Sequence, residues 1–240
     1  MDLSIIIPAF NEGKKIAHDI KAAEEFLLSE QLSGEIIIVD DGSRDQTVDA
    51  LREVEVHPSV SKVIVSYSPN RGKGYAVRSG MVQSRGQYVM FADCGHCIPY
   101  ADALKGIELI RQGNCDIAHG SRRTKGRHIE RRQRWHRIIL SNMFRFAVML
   151  GMGLPRGLTD TQCGFKVYRG TVARELFAMS TTNGFLFDIE IILRAGKKGY
   201  KIEEFPVKWT SDHDSRVFPF QMARRLFPEL IAIKRELLKK

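Results

Sequence analysis

Cysteine is scarce in this 240-residue chain: four residues, Cys94, Cys97, Cys115 and Cys163, do not make a disulfide scaffold. Long apolar runs are missing too. The longest candidate, 146–154, falls short of the roughly 18 to 20 residues that a membrane-crossing helix needs, and it follows Arg145. No internal repeat, low-complexity stretch or interdomain linker stands out, which sets aside solenoids and disordered tethers. A strand-like run begins at Leu3 and leaves no room for a signal peptide, so a reducing, cytoplasmic setting is expected. Acid is in short supply as well. Asp plus Glu number 28 against 37 Lys plus Arg, for a formal charge of +9. That balance favours an anionic partner: nucleic acid, a phosphorylated metabolite or an acidic membrane surface. Hydrophobic residues still make up 43%, enough to bury a sizeable core.

Apolar and turn patterns place strands at 3–7 (stopped by Pro8), 35–39, 63–65 and 88–92, with helices over 14–30, 46–54 and 74–84 between them. Alternation at this interval predicts an α/β fold with a mostly parallel sheet and right-handed crossovers. Ligands of such sheets sit beyond the carboxyl ends of the strands. Here those ends carry Pro8 to Glu12, Asp40-Asp41 and Asp93. Further on, a helix is expected over 100–112 and a strand over 116–120. A basic tract from Arg122 to Arg137 follows, with eight Lys or Arg and one Glu, and then an apolar-rich helix to about residue 150. Residues 201–209 alternate like a strand, and the chain closes in a basic amphipathic helix. One domain spanning 1–240 fits this layout, a first part over about 1–120 and a second, with a helical, basic edge, over about 121–240.

Taken one by one, the polar clusters leave two readings each. Asp40-Asp41 before Gly42-Ser43 could receive a base or ribose, or could cap the next helix. Asn70-Arg71-Gly72-Lys73-Gly74 lacks the Walker spacing, yet could bring a cation and backbone N–H groups to a phosphate; a flexible basic turn is the blander account. Asp93, ending a buried strand, could hold a hard divalent cation or cap a helix. Cys94-Gly95-His96-Cys97 is a C-x-x-C pair, read as a redox motif or as two ordinary thiols. Arg137 and Ser141 fall one turn apart on a helix that is apolar on most sides, as suits a lipid headgroup boundary or a core-facing stripe. No stacking aromatics or recognised module accompany the basic helices, so a membrane surface is favoured over nucleic acid. Asp160, before Thr161-Gln162-Cys163-Gly164, could serve as a base or orient an acceptor, whereas Asp188 and Glu190 also read as first-turn helix charges.

Together these segments resemble glycosyltransferase family 2, which has a GT-A fold, and within it the polyprenyl-phosphate sugar synthases. The resemblance rests on residues 7–12, 39–43, 70–78, 120–122, 160–166 and 187–190, in that order. It implies transfer of a hexose, with inversion, from a nucleotide diphosphate sugar (UDP-glucose or GDP-mannose type) to a polyprenyl or dolichyl phosphate. It implies that Pro8, Ala9, Asn11, Glu12, Asp40 and Asp41 hold the nucleoside, with Arg71, Lys73 and Ala92 beside it. Asp93 would carry Mg²⁺ or Mn²⁺ on the diphosphate, and Arg122 and Arg216 would neutralise phosphate charge. Arg137 and Ser141 would grip the lipid phosphate, and Asp160 would orient the acceptor or sugar. The usual Asp-x-Asp of the family is incomplete here: Phe91-Ala92-Asp93 lacks the first acid, and Gly95 supplies no later one. The expected partners are the two substrates and the cytoplasmic face of an anionic membrane, reached peripherally, with a membrane protein or a second copy as further partners. A soluble acceptor, or a nucleotide-sugar binder without activity, stands as the alternative.

Overall fold

Two-residue periodicity builds the centre of the sheet. In strand β1 (Leu3–Ala9), Leu3, Ile5, Ile7 and Ala9 face one side and Ile6 the other, and every one of them is buried. β2 (Gly34–Asp40) repeats the pattern with Ile36 and Ile38 on the first side and Ile37 and Val39 on the second. A strand buried on both faces needs helices on both. They come from α1 (Ile16–Ser29), α2 (Thr47–Glu53), α3 (Lys73–Gln83) and α4 (Ala103–Arg111).

The computed structural model describes residues 1–124, 128–129, 157–210 and 219–238, with side chains described for 1–124, 157–210 and 228–238. The remaining strands are β3 (Ser61–Ser66), β4 (Tyr88–Ala92), β5 (Ile117–Ser121), β6 (His128–Ile129), β7 (Phe165–Arg169), β8 (Ile202–Pro206) and β9 (Lys208–Trp209). The remaining helices are α5 (Gly170–Met179), α6 (Phe187–Lys198) and α7 (Pro219–Leu238), and a 3₁₀ turn at Tyr100–Asp102 leads into α4. Seven strands form one sheet in the order β3-β2-β1-β4-β7-β5-β8, while β6 and β9 pair separately. β1, β2, β3 and β4 run parallel, and β7 is antiparallel to both β4 and β5. The mostly parallel, doubly covered sheet is the expected α/β architecture.

Two expectations are corrected. Pro8 does not stop β1, which pairs with β2 as far as Ala9↔Asp40. Pairing with β4 ends at Ile6↔Phe91, so Pro8 lies where β1 has lost one neighbour, a place that tolerates a missing N–H. The expected helix over 100–112 starts as 3₁₀ and turns α-helical at Ala103. The apolar helix expected to about residue 150 lies outside the described residues, as do Arg137, Ser141 and Arg216. No described helix is long and apolar enough to cross a membrane.

The strand order reverses between β1 and β4, which opens a crevice beyond their carboxyl ends. α3 closes against the back of this crevice because Gly80 has no side chain: a Cβ there would come within 2.4 Å of Ile6 Cγ2. Gly80→Ala would gain about 1 kcal/mol of helix propensity but overpack the α3–β1 contact at a cost of about 1 to 3 kcal/mol. We expect net destabilisation, read as a lower urea midpoint at unchanged slope.

Candidate active site

The loops at the strand ends are tied to each other before any ligand is considered. Asn11, at φ 54°, donates its N–H to Ser43 Oγ at 2.8 Å and accepts Arg44 N–H on Oδ1 at 2.8 Å. Glu12 N–H reaches Thr47 Oγ1 at 2.8 Å. Both aspartates after β2 are buried. Asp40 accepts from Ser43 N–H and Ser66 Oγ, and Asp41 accepts the N–H groups of Arg71 (2.7 Å) and Gly72 (2.9 Å) and the Asn70 amide (2.7 Å). Asp41 therefore shapes the Asn70–Gly72 loop that leads into α3. Gly72, at φ 102°, presses on the Asn183 carbonyl, where a Cβ would approach to 2.5 Å. The loop before α6 is clamped in turn by buried Glu190, which accepts from Ser180 Oγ and from the N–H groups of Thr181 and Thr182. Arg71 lays its guanidinium 3.5 Å from the centre of the Tyr75 ring.

A ladder of alternating charge runs from this loop into the sheet. Lys73 Nζ lies 2.6 Å from Asp93 Oδ1, at the end of β4. Lys166, the second residue of β7 and fully buried, donates to Asp188 Oδ1 at 2.8 Å and to the Cys163 carbonyl at 2.6 Å. Burial alone would push the Lys73 ammonium down, but the Asp93 and Asp188 carboxylates outweigh it and hold Lys73 above its ordinary value. Lys73 is thus a cation throughout the neutral range. Burial pushes the Asp188 carboxyl up, against the pull of Lys166 and Lys73. Asp188 and Glu190 are first-turn acids of α6, as the dipole reading has it, and are also buried partners of specific groups.

On the other flank, Arg122 grips Asp160. Its N–H and Nε bond Oδ2 at 3.0 and 2.7 Å, and Nη2 bonds Oδ1 at 2.8 Å. Glu204 on β8 holds the Asp160 segment by accepting from the N–H groups of Thr159 and Asp160, both at 2.7 Å. Burial would raise the Asp160 carboxyl, but the bonds from Arg122 hold it below the usual range. With both oxygens committed, Asp160 orients Arg122 and is a poor general base. Between the flanks lie Cys163, a buried thiol pushed up to about 12 by burial, and Gly164. The Asp93 carboxylate rests on Gly164, where a Cβ would stand 1.9 Å from Asp93 Oδ2, and Asp93 N–H bonds the Gly164 carbonyl at 2.8 Å.

Asp93 is half exposed, and its Oδ1 has an ion-pair partner in Lys73 but no aligned hydrogen bond. Among the described residues no three His, Cys, Asp or Glu side chains converge as a metal cage. One carboxylate with spare acceptor capacity still suits Mg²⁺ or Mn²⁺, which such sites hold through one or two carboxylates, waters and substrate phosphates. The redox reading of Cys94 and Cys97 fails on electrostatics. Burial, then the charge of Asp19, raises the Cys94 thiol far above its ordinary value, opposite to what a reactive thiolate needs.

The structure thus gathers Pro8, Ala9, Asn11, Glu12, Asp40, Asp41, Arg71, Lys73, Ala92, Asp93, Arg122 and Asp160 around the strand ends. Sequence reasoning assigned no role to Lys166, Glu204 or Asp19. Asp19 did carry a signal, since it falls on the apolar stripe of α1 between Ile16 and Ala23.

Residues 4–177 match the sequence family Glycosyl transferase family 2. Among curated proteins, the chain is 35% identical to the dolichyl-phosphate beta-glucosyltransferase of Drosophila melanogaster, covering 95% of this chain and 74% of that protein. It is 31% identical to the enzyme of the same name from Dictyostelium discoideum, over 97% and 73%. Among solved structures, glucosyl-3-phosphoglycerate synthase from Mycobacterium tuberculosis, held with Mn²⁺, UDP and glucosyl-3-phosphoglycerate, superposes with a TM-score of 0.68 at 18% identity, over 98% of this chain and 79% of that one. That likeness shows a shared GT-A fold.

Two outcomes follow from the geometry. Gly164→Ala must displace the Asp93 carboxylate, and a shift of about 1 Å at such a group lowers turnover about 100-fold; the readout is sugar transfer alongside an unchanged far-UV spectrum. The stability that Asp160 contributes is present above its unfolded value near 4 and is lost as pH falls through its lowered folded value. Asp160→Asn should therefore lower the urea midpoint at pH 7 and flatten its decline below about pH 4.

Proposed function

The chain belongs to glycosyl transferase family 2, and from that premise we propose that it moves glucose from a nucleotide diphosphate glucose to a dolichyl-type polyprenyl phosphate. The supporting observation is a pair of cations at the strand ends: Lys73, which meets Asp93 after β4, and Arg122, held by Asp160 after β5. It occurs in a chain whose relatives along nearly its whole length carry the name dolichyl-phosphate beta-glucosyltransferase. An oxygen of the acceptor phosphate bonds the anomeric carbon as the bond from that carbon to the donor diphosphate breaks. Inversion turns an α-linked donor into a β-linked product.

The nucleophile is already an anion, so no proton has to be removed from it. The work left to the protein is electrostatic: holding two anionic reactants together and stabilising the departing diphosphate. Lys73 presents a permanent cation at the donor, and Arg122, held rigid by Asp160, presents a second. Asp93 would hold Mg²⁺ or Mn²⁺ against the diphosphate, which supplies further positive charge to the leaving group. By the resemblance, Arg216 joins the diphosphate side, and Arg137 with Ser141 takes the acceptor phosphate. α7 exposes Ile231 and Leu238 on the same helix as Lys234 and Arg235, which supports contact with an anionic membrane surface.

Incubation with radiolabelled nucleotide glucose and dolichyl phosphate should carry label into the organic phase. Asp93→Ala and Arg137→Ala should each reduce it by about 100-fold or more. Label that stays aqueous with UDP-glucose and with other nucleotide glucoses would overturn the reading.

A further inference from the structure

Asp19 is the one fully buried acid on α1, and folding alone does not account for it. Oδ2 accepts Gly95 N–H at 2.7 Å and the Cys94 thiol at 2.8 Å, whereas Oδ1 is buried with no hydrogen-bond partner. A half-satisfied buried carboxylate weakens a core. Its place is better explained by what it holds, the turn immediately after Asp93.

That turn is in an unusual conformation. Gly95 has φ 110° and His96 has φ 46°, a left-handed backbone that a histidine rarely adopts. The His96 ring is stacked on Tyr100, at 5.7 Å between centroids, and meets His18 edge-on at 5.4 Å. Behind the turn, Asp93 is fixed by Gly164 through a backbone hydrogen bond and direct contact. Asp93 is therefore suspended between two anchors, Gly164 on β7's approach and Asp19 on α1. Asp19 acts on this loop through its backbone, at Gly95 N–H.

We propose that Asp19 is a positioning residue for the donor site: by capturing Gly95 N–H it fixes the turn that aims the Asp93 carboxylate. Its consequence at the donor rests on the transferase reading, while the anchor itself can be read without turnover. Asn at this position keeps one acceptor for Gly95; Ala keeps none.

The experiment uses the full chain as wild type, Asp19→Ala, Asp19→Asn and Cys94→Ala. Amide exchange of 94–96 and alkylation of Cys94 by iodoacetamide, both mapped by mass spectrometry, read the anchor. Calorimetric titration of Mn²⁺ in the presence of UDP reads the consequence. Asp19→Ala should raise exchange and alkylation and weaken Mn²⁺ binding by about tenfold, as loss of an orienting neighbour does. Asp19→Asn should stay within about threefold of wild type, and Cys94→Ala within about twofold, because both keep the bond to Gly95. Unchanged exchange and unchanged Mn²⁺ affinity in Asp19→Ala would overturn the proposal. So would an Asp19→Asn as impaired as the alanine variant, since charge and not the backbone bond would then matter. Should Asp19→Ala not fold, Asp19→Leu, which likewise offers no acceptor, takes its place under the same expectations. A wild-type chain that binds no UDP with Mn²⁺ would defeat the transferase reading at this donor, and amide exchange would then decide the anchor by itself.

Discussion

A lysine ammonium sealed inside a sheet has to be paired, and the pairing of Lys166 with Asp188 is the contact on which the site is assembled. Lys166 comes from β7 and Asp188 from the first turn of α6, where the helix dipole also favours a negative charge. Lys73, from the start of α3, adds its charge to the same carboxylate and then reaches Asp93 at the end of β4. Two strands and two helices are thus locked in one register by four side chains. Breaking such a buried pair by deleting one member leaves a stranded charge, typically at a cost of about 3 to 5 kcal/mol. The ladder is held by its own alternation of sign, and it ends at the solvent-facing carboxylate.

The same alternation explains how so basic a chain presents cations without repulsion. Each of these cations is matched by a nearby acid: Arg122 by buried Asp160, Lys73 by half-exposed Asp93 and buried Asp188, and Lys166 by Asp188. The Asp160 segment is fixed in turn by a further carboxylate, Glu204. Preorganised charge of this kind needs little rearrangement when a diphosphate arrives, which is where electrostatic catalysis gains most over water. Asp41 and Glu190 extend the principle to the loops. Each spends a buried carboxylate on N–H groups of the chain and so shapes the segments flanking Lys73.

Much of this was legible before any coordinates. The short continuous apolar runs of β1, β2 and β4 and the helices between them predict the parallel sheet, and its topology places Glu12, Asp40 and Asp93 beyond the carboxyl ends of the strands. Pro8 misled as to where β1 ends, because a stop signal read along the chain ignores that β1 keeps β2 after losing β4. Asp188 and Glu190 are ambiguous in the sequence because a first-turn acid looks the same whether it is solvated or buried. Cys94 and Cys97 carry a redox spacing, but the carboxylate that suppresses it arrives from 75 residues earlier.

By itself, then, the sequence determined the alternation of strands and helices, the end of the sheet that carries the site and the preference for anionic partners. These follow from side-chain period and composition, which are local or summed properties. Only the tertiary structure decided which acid serves which base: Lys166 with Asp188, Arg122 with Asp160, and Asp19 with the Gly95 turn. Such partnerships depend on strand order and on which helix covers which face. A buried charge selects its partner by distance in space, and spacing along the chain does not record that distance.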